Sequence, residues 1–242
     1  MALDEQVTDG VRVLRDPGAA ATGLLVAFTD RHGGASRAPY ASLNLAARVG
    51  DDPAAVDANR SRAGRAVGFD PAALALARQV HGAHALEVGE GASGIVGSAD
   101  ILVTSVPRVV LGILTADCAP VIVAGDSTVA LVHAGWRGLV GGAVEAGLGA
   151  VPEPRRAWIG PCIHACCYEV GPEVVAAFED AGLPVAASDR VDPRRAAEHA
   201  LQRAGVSEIE TVDVCTSCDA RYFSYRRDGV TGRQGTFAAI VA

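Results

Sequence analysis

The sequence is poor in rings and sulfur. It holds one methionine, two tryptophans and only 5% aromatic residues, so its core cannot rest on aromatic stacking. Hydrophobic residues still make up 50% of it, carried mainly by alanine and valine. A chain of 242 residues with that content buries enough apolar surface to fold without disulfides. Lysine is absent, and all 21 basic residues are arginine. With abundant alanine, glycine and aspartate, this points to a biased genome more than to a function. Basic charge is in deficit, with a net charge of −7 and a pI near 5.3. No patch of the nucleic-acid-binding kind stands out. The richest basic stretch, RYFSYRRDGVTGR, reads as a turn on a solvated face.

Long apolar runs are missing too. The most apolar stretch, Val109 to Val132, is broken by Asp117 and Asp126, and no window offers the ~20 residues a membrane helix needs. The opening MALDEQVTDG is acidic and polar, unlike a signal peptide. The expectation is a cytoplasmic protein with no membrane or nucleic-acid partner, as a monomer or homodimer. In a reducing compartment its six cysteines read as metal ligands, catalytic groups or small core residues. No repeat or low-complexity linker divides the chain, so one domain over 1–242 is expected.

Periodicity places the elements. DDPAAVDANRSRAGRAVGF reads as a helix with Asp52 as N-cap, Pro53 at the first turn and Gly68 at the exit. GLVGGAVEAGLGAV reads as a glycine-weakened helix, and GPEVVAAFEDAG and DPRRAAEHALQRAG as helices with clear caps. LLVAF, HALEV, ADILVT, VVLGILT, RAWIG, EIETVDV and TFAAIVA read as strands. VIVA and VALVH flank GDST as a hairpin. Hairpins mixed with strand–helix alternation predict an α/β (α+β) sandwich with mixed sheets, not a regular doubly wound sheet.

The hairpin suggests chemistry. If Gly125-Asp126-Ser127 is its loop, paired residue numbers sum to about 252, which sets Cys118 opposite Ala134. A one-residue change of loop makes Cys118 and His133 direct neighbours, about 5 Å apart at Cβ. For a third ligand, RQVHGAHALEV offers His81 and His84; His81, before Gly82 in a turn, is the better candidate. One thiolate and two imidazoles suit zinc, and the thiolate admits copper. Three protein ligands leave an open position, the pattern of a catalytic zinc. The competing reading makes each residue an ordinary buried polar side chain.

A second cysteine group lies in GPCIHACCYEVG and VCTSCDA, with His164 among its cysteines. Cys215 and Cys218 form a C-x-x-C that, with Cys162 and Cys166, has the makings of a structural zinc site. The adjoining apolar helix and the DARYFSY that follows favour small, partly buried thiols instead.

SLNLAARVGDDPAAVDANR, QVHG, TADCAPV, HAGWRGL, IGPCI with CYEVG, and CTSCDARYFSYRRDGVTGRQ occur in this order. From about Leu24 to the end, the chain resembles the laccase-domain purine nucleoside phosphorylases, formerly called polyphenol oxidases or multicopper polyphenol oxidoreductases. The resemblance implies a single αββα-type domain with zinc on His81, Cys118 and His133. It also implies phosphorolysis of adenosine, inosine, guanosine and methylthioadenosine, with adenosine deamination at the same site. One bacterial branch is linked instead to an amide hydrolase that edits peptidoglycan precursors, and a non-enzymatic metal-binding module is the third alternative. A multicopper oxidase needs several histidine-rich copper sites, and 6 histidines with 1 methionine are too few for them.

For deamination, zinc acidifies a coordinated water towards ~7, supplying a nucleophile for C6 of adenine. Asp117 and Glu169 are candidate proton donors to the leaving ammonia. Phosphorolysis needs an anion site, for which arginine's planar fork is suited. Arg60 is the first choice, with Arg137, Arg226 and Arg227 as alternates and a surface salt bridge as the competing fate of each. Tyr225 or Phe223 would stack on a purine, or else belong to the core.

Overall fold

A computed structural model describes residues 3–241; Met1, Ala2 and Ala242 of the expected 1–242 unit lie outside the described residues. In chain order the elements are strands β1 (Asp4–Thr8) and β2 (Val11–Arg15), helix α1 (Pro17–Ala21), β3 (Leu24–Thr29), α2 (Pro53–Val67), β4 (Leu74–Arg78), β5 (Ala85–Glu87), β6 (Gly94–Ser98), β7 (Ile101–Thr104), β8 (Val110–Thr115), β9 (Ala119–Ala124) and β10 (Val129–Ala134). There follow α3 (Trp136–Val140), α4 (Ala143–Gly149), β11 (Arg156–Ile159), α5 (Pro172–Asp180), β12 (Val185–Ala187), β13 (Arg190–Val191), α6 (Pro193–Arg203), β14 (Glu208–Thr211), α7 (Tyr225–Asp228) and β15 (Gln234–Ile240).

Two mixed sheets carry the fold. One has the order β1-β2-β3-β15-β8-β4-β6, the other β14-β11-β9-β10-β7-β5, and β12-β13 forms a small ribbon. Strand alternation assigns the faces. Phe28, Leu111 and Ile113 of the first sheet meet Leu102, Ile122, Leu131 and Trp158 of the second in a central core. Val11, Val13, Leu74, Leu76 and Phe237 turn the other way, against Ala63, Ala66 and Val67 of α2. Val121, Val123, Val132 and Ile159 face Leu139, Val144, Phe178, Ala197 and Leu201 of α3 to α6. Helix, sheet, sheet and helices thus stack as four layers, in agreement with the expected αββα sandwich. Among the described residues, no helix is long and apolar enough to cross a membrane.

Helix α2 starts and stops where its caps dictate. The Asp52 side chain accepts from the Ala54 N–H, Pro53 fills the first turn, and Gly68 ends the helix at φ 86°. The expected helix over GLVGGAVEAGLGAV is in fact two, α3 and α4, because Gly142 takes φ 78° between them. The hairpin register also differs from expectation. Val129 pairs with Ala124 and Ala134 with Ala119, closed by a bond from the Gly125 N–H to the Thr128 carbonyl. The register is therefore shifted by one residue from that of a Gly125-Asp126-Ser127 loop, and extending it sets Cys118 against Gly135, not Ala134 or His133.

Candidate metal centre and substrate pocket

Three chain segments meet where strands of the two sheets end. His81 follows β4, Cys118 sits where the chain crosses from β8 in the first sheet to β9 in the second, and His133 lies on β10. Their ligand atoms all fall within 4.8 Å of one another. His133 is buried, Cys118 half-buried and His81 exposed, so the group opens to one side. The His81 and His133 rings meet edge to face at 4.8 Å between centroids. His81 (φ 63°) and Asp117 (φ 97°) are both non-glycine residues in the left-handed region, a strained conformation that the surroundings must hold.

Asp100 does much of that holding, and the sequence reading passed over it. Its carboxylate is fully buried and accepts from the N–H groups of Val80, His81 and Gly82 at 2.7–3.2 Å. It also accepts from His133 Nδ1 at 2.8 Å. Burial disfavours its charge, but the His133 bond and the backbone donors outweigh that and keep the carboxyl below its usual range. With Nδ1 committed to Asp100, His133 has Nε2 left for a ligand, the usual arrangement behind a metal-binding histidine.

The thiol fits the same purpose. Burial alone would push Cys118 up, but the adjacent His133 and His81 imidazoles hold it down to about 6. Burial would lower His133, yet Cys118 and Asp100 raise it to about 9. Both shifts favour a thiolate beside an imidazolium, from which a bound cation would displace one proton. The donor set of one thiolate and two imidazoles with an open side fits a zinc or copper ion.

Gly135 makes room for this group. A Cβ there would lie 2.9 Å from His81 Cδ2 and 3.1 Å from Cys118 Sγ. Its backbone (φ −74°, ψ 168°) is open to any residue, so only the side-chain space is restricted. Gly135→Ala is expected to leave the melting temperature nearly unchanged while weakening metal binding about ten- to hundredfold, the range seen when ligand orientation is disturbed. Chelator competition would measure it.

The trio lines a cavity of about 860 Å³. Six arginines line it as well: Arg48, Arg60, Arg78, Arg137, Arg226 and Arg233. Asp117 is the one acidic lining residue among the described residues, and Trp136, Tyr168 and Tyr225 supply the aromatic wall. Arg137 stacks on the Trp136 ring at 4.2 Å and Arg226 on Tyr168 at 5.1 Å. Arg60 donates from Nε to the Leu45 carbonyl at 3.0 Å. Its two terminal nitrogens have no protein acceptor among the described residues, which leaves a fork free for an anion. Arg233, missed in the sequence, is tied back through Nη1 to the Thr231 and Gly232 carbonyls.

Not every candidate is here. Asp117 lines the pocket, but both its oxygens are taken, one by Thr216 Oγ1 and one by the Arg226 N–H, each at 2.7 Å. Glu169 lies off the lining, with its carboxylate 3.7 Å from Arg190. Arg227 is also off it, bound to Asp228 and to the carbonyls of Thr216 and Tyr222. Phe223 is core, fully buried beneath Arg31, whereas Tyr225 is exposed on the pocket wall.

Residues 25–241 match the profile of the multi-copper polyphenol oxidoreductase laccases. The chain belongs to that family. Within this laccase family it is 42% identical over 223 residues to a Streptomyces griseus protein named purine nucleoside phosphorylase ORF3, covering 86% of this chain and 90% of the relative. A Deinococcus radiodurans purine nucleoside phosphorylase is 41% identical, with 93% and 91% covered. The solved structure of YlmD from Geobacillus stearothermophilus superposes with a TM-score of 0.88 at 32% identity over the whole of both chains. That of the hypothetical protein YfiH from Bacillus licheniformis gives 0.86 at 28%, covering 96% of this chain and 97% of the other. The copper in the family's description meets a sparse donor set here: among the described residues, His81, Cys118 and His133 form the one metal-capable group that contains histidine.

Proposed function

We propose that the chain is a purine nucleoside phosphorylase working in the arginine-lined cavity. One observation carries the reading: a single cavity joins the His81–Cys118–His133 group to six arginines and three aromatic rings. Its volume of about 860 Å³ falls within the ~300–1,000 Å³ common for small-molecule sites and admits a nucleoside and an anion together. The naming of its relatives supports the same class of reaction.

In phosphorolysis a phosphate oxygen bonds to C1′ of the ribose as the bond from C1′ to the purine breaks. The sugar passes through an oxocarbenium-like state, so an oriented anion beside it both stabilises the charge and supplies the nucleophile. Arg60 is the first choice to hold the phosphate, because its fork is free. Arg137, Arg226 and Arg233 are the alternates, while Arg227 is spent on internal carbonyls. Trp136, Tyr168 or Tyr225 would face the base. The reading gives Asp117 a positioning task, fixing the turn that presents Cys118, and gives Glu169 none. A divalent ion on His81, Cys118 and His133, zinc first and copper second, would supply a Lewis acid. Since the ligands come from both sheets, the reading treats 1–242 as one working unit. Adenosine deamination is a second activity within this proposal, because the same group opens onto the same cavity.

The test is incubation with adenosine or inosine, with and without phosphate. Free base that appears only with phosphate supports phosphorolysis, and inosine from adenosine supports deamination. Arg60→Ala should cut phosphorolysis by roughly ten- to more than hundredfold, the effect of losing about 1.5–3 kcal/mol of charged hydrogen bonding, while sparing deamination. Equal losses would move the phosphate to Arg137, Arg226 or Arg233. No product, with amino-acid release from a muramoyl precursor, would favour the amide-hydrolase reading. No turnover of either kind would favour a metal-binding module.

A further inference from the structure

Outside the pocket, a second group of cysteines converges. Strands β11 and β14 run parallel and adjacent, so the loops that leave them emerge at the same end of the sheet. The first loop carries Cys166 and Cys167, the second Cys215 and Cys218. A parallel bridge between Cys162 and Cys215, with the Thr216 N–H bonded to the Cys162 carbonyl at 3.0 Å, locks the two loops in register. The Sγ atoms of Cys166, Cys167, Cys215 and Cys218 all lie within 4.8 Å of one another. Cys162, expected as a member, is buried in the core behind them, and Cys167 takes its place. Cys166 and Cys218 are exposed, in contrast to the expected partly buried thiols.

We infer that Cys166, Cys167, Cys215 and Cys218 bind a second metal ion, a structural zinc held by four thiolates. Four sulfurs at about 2.3 Å from one ion stand roughly 3.8 Å apart, close to the spacing here. Cys218 Sγ lies 3.5 Å from Cys166 Sγ and 3.3 Å from Cys167 Sγ. One sulfur cannot be bonded to both neighbours in disulfides, whereas one ion is shared by all four.

The backbone is already shaped for this. The C-x-x-C forms a tight turn in which the N–H groups of Cys218 and Asp219 reach the Cys215 carbonyl at 3.1 and 3.0 Å. The His164 N–H points at Cys215 Sγ from 3.4 Å, a donor that favours a thiolate there. Arg190 grips the Ala165 and Cys166 carbonyls at 3.1 and 2.9 Å, fixing the other pair of ligands. An ion here would staple the two loops. Thr216, between the ligands of the second loop, holds Asp117 at 2.7 Å next to Cys118, so the staple also steadies the neighbouring pocket.

The experiment is metal counting on full-length protein, purified with reductant, loaded with zinc and freed of excess. Wild type should retain about two zinc ions per chain, Cys218→Ser about one, and His133→Ala about one, since each variant opens one site. Wild type with about one ion, unchanged by Cys218→Ser, overturns the inference. Should Cys218→Ser fail to fold, cobalt loading of His133→Ala replaces it: the intense visible bands of a tetrathiolate cobalt site support the proposal, and their absence refutes it. Alkylation of the zinc-loaded wild type after denaturation should find all six thiols free. A disulfide among the four would also overturn the zinc assignment.

Discussion

Cys118→Ala is expected to yield a folded protein that has lost its metal and at least about a thousandfold of its turnover. The substitution is small, at a half-buried position outside the three cores, so little packing is lost. The chemistry changes far more. Without the thiolate, two imidazoles remain, one of them exposed, and a divalent ion has no anionic ligand to offset its dehydration. If the ion supplies several kcal/mol of transition-state stabilisation, its loss costs about 10³ or more in rate. Metal content, circular dichroism and both adenosine products, measured on one preparation, check the expectation. Full metal retention at this site would show that Cys118 is not a ligand.

Asp100→Ala should be the most destabilising single change near the site. It removes the acceptor for three backbone N–H groups of a partly exposed turn and for the buried His133 Nδ1. An unsatisfied buried donor costs about 1–3 kcal/mol, and His133 Nδ1 is one, so a loss of at least about that size is expected, enough to lower the denaturation midpoint clearly. Asp100→Asn keeps the shape and part of the acceptor capacity. It should stay folded but bind metal about ten- to hundredfold more weakly, since the charge that orients His133 is gone. Urea titration and chelator competition separate the two effects. If Asp100→Asn binds metal like wild type, the carboxylate serves only the loop.

Legibility in the sequence followed the range of the interaction. Helix α2 was readable because Asp52, Pro53 and Gly68 act within a turn of themselves. The hairpin of β1 and β2 was missed, although Asp9 and Gly10 both take positive φ in a two-residue turn that suits Asp-Gly. All of β1 faces solvent, so its alternation carries no apolar signal. The β9–β10 register slipped by one residue because a loop's closing bond is invisible in composition. His81, Cys118 and His133 were named from turn context, hairpin geometry and family resemblance together. Their support was not: Asp100 acts on His133 across 33 positions through tertiary contact alone. Arg233 sat in a noted motif, but nothing local separates a pocket arginine from a surface one. Cys162 pairs with Cys215 across the two loops and is buried, while Cys167 joins the four-sulfur group, an exchange that spacing alone does not show.

Away from the His81–Cys118–His133 group, the basic side chains lining the pocket among the described residues are all arginine. Burial lowers Arg60 and Arg233 from their ordinary value, which lies far above neutrality. Guanidinium does not discharge in proteins, whereas a buried ammonium loses its proton readily. The arginines' share of this cavity's attraction for an anion therefore does not switch near neutral pH. A bend in its pH–rate curve near neutrality points instead to groups such as phosphate, through its second ionisation, or the Cys118–His133 pair. Lysine acetylation, a common way to silence an anion site, has no side chain here on which to act.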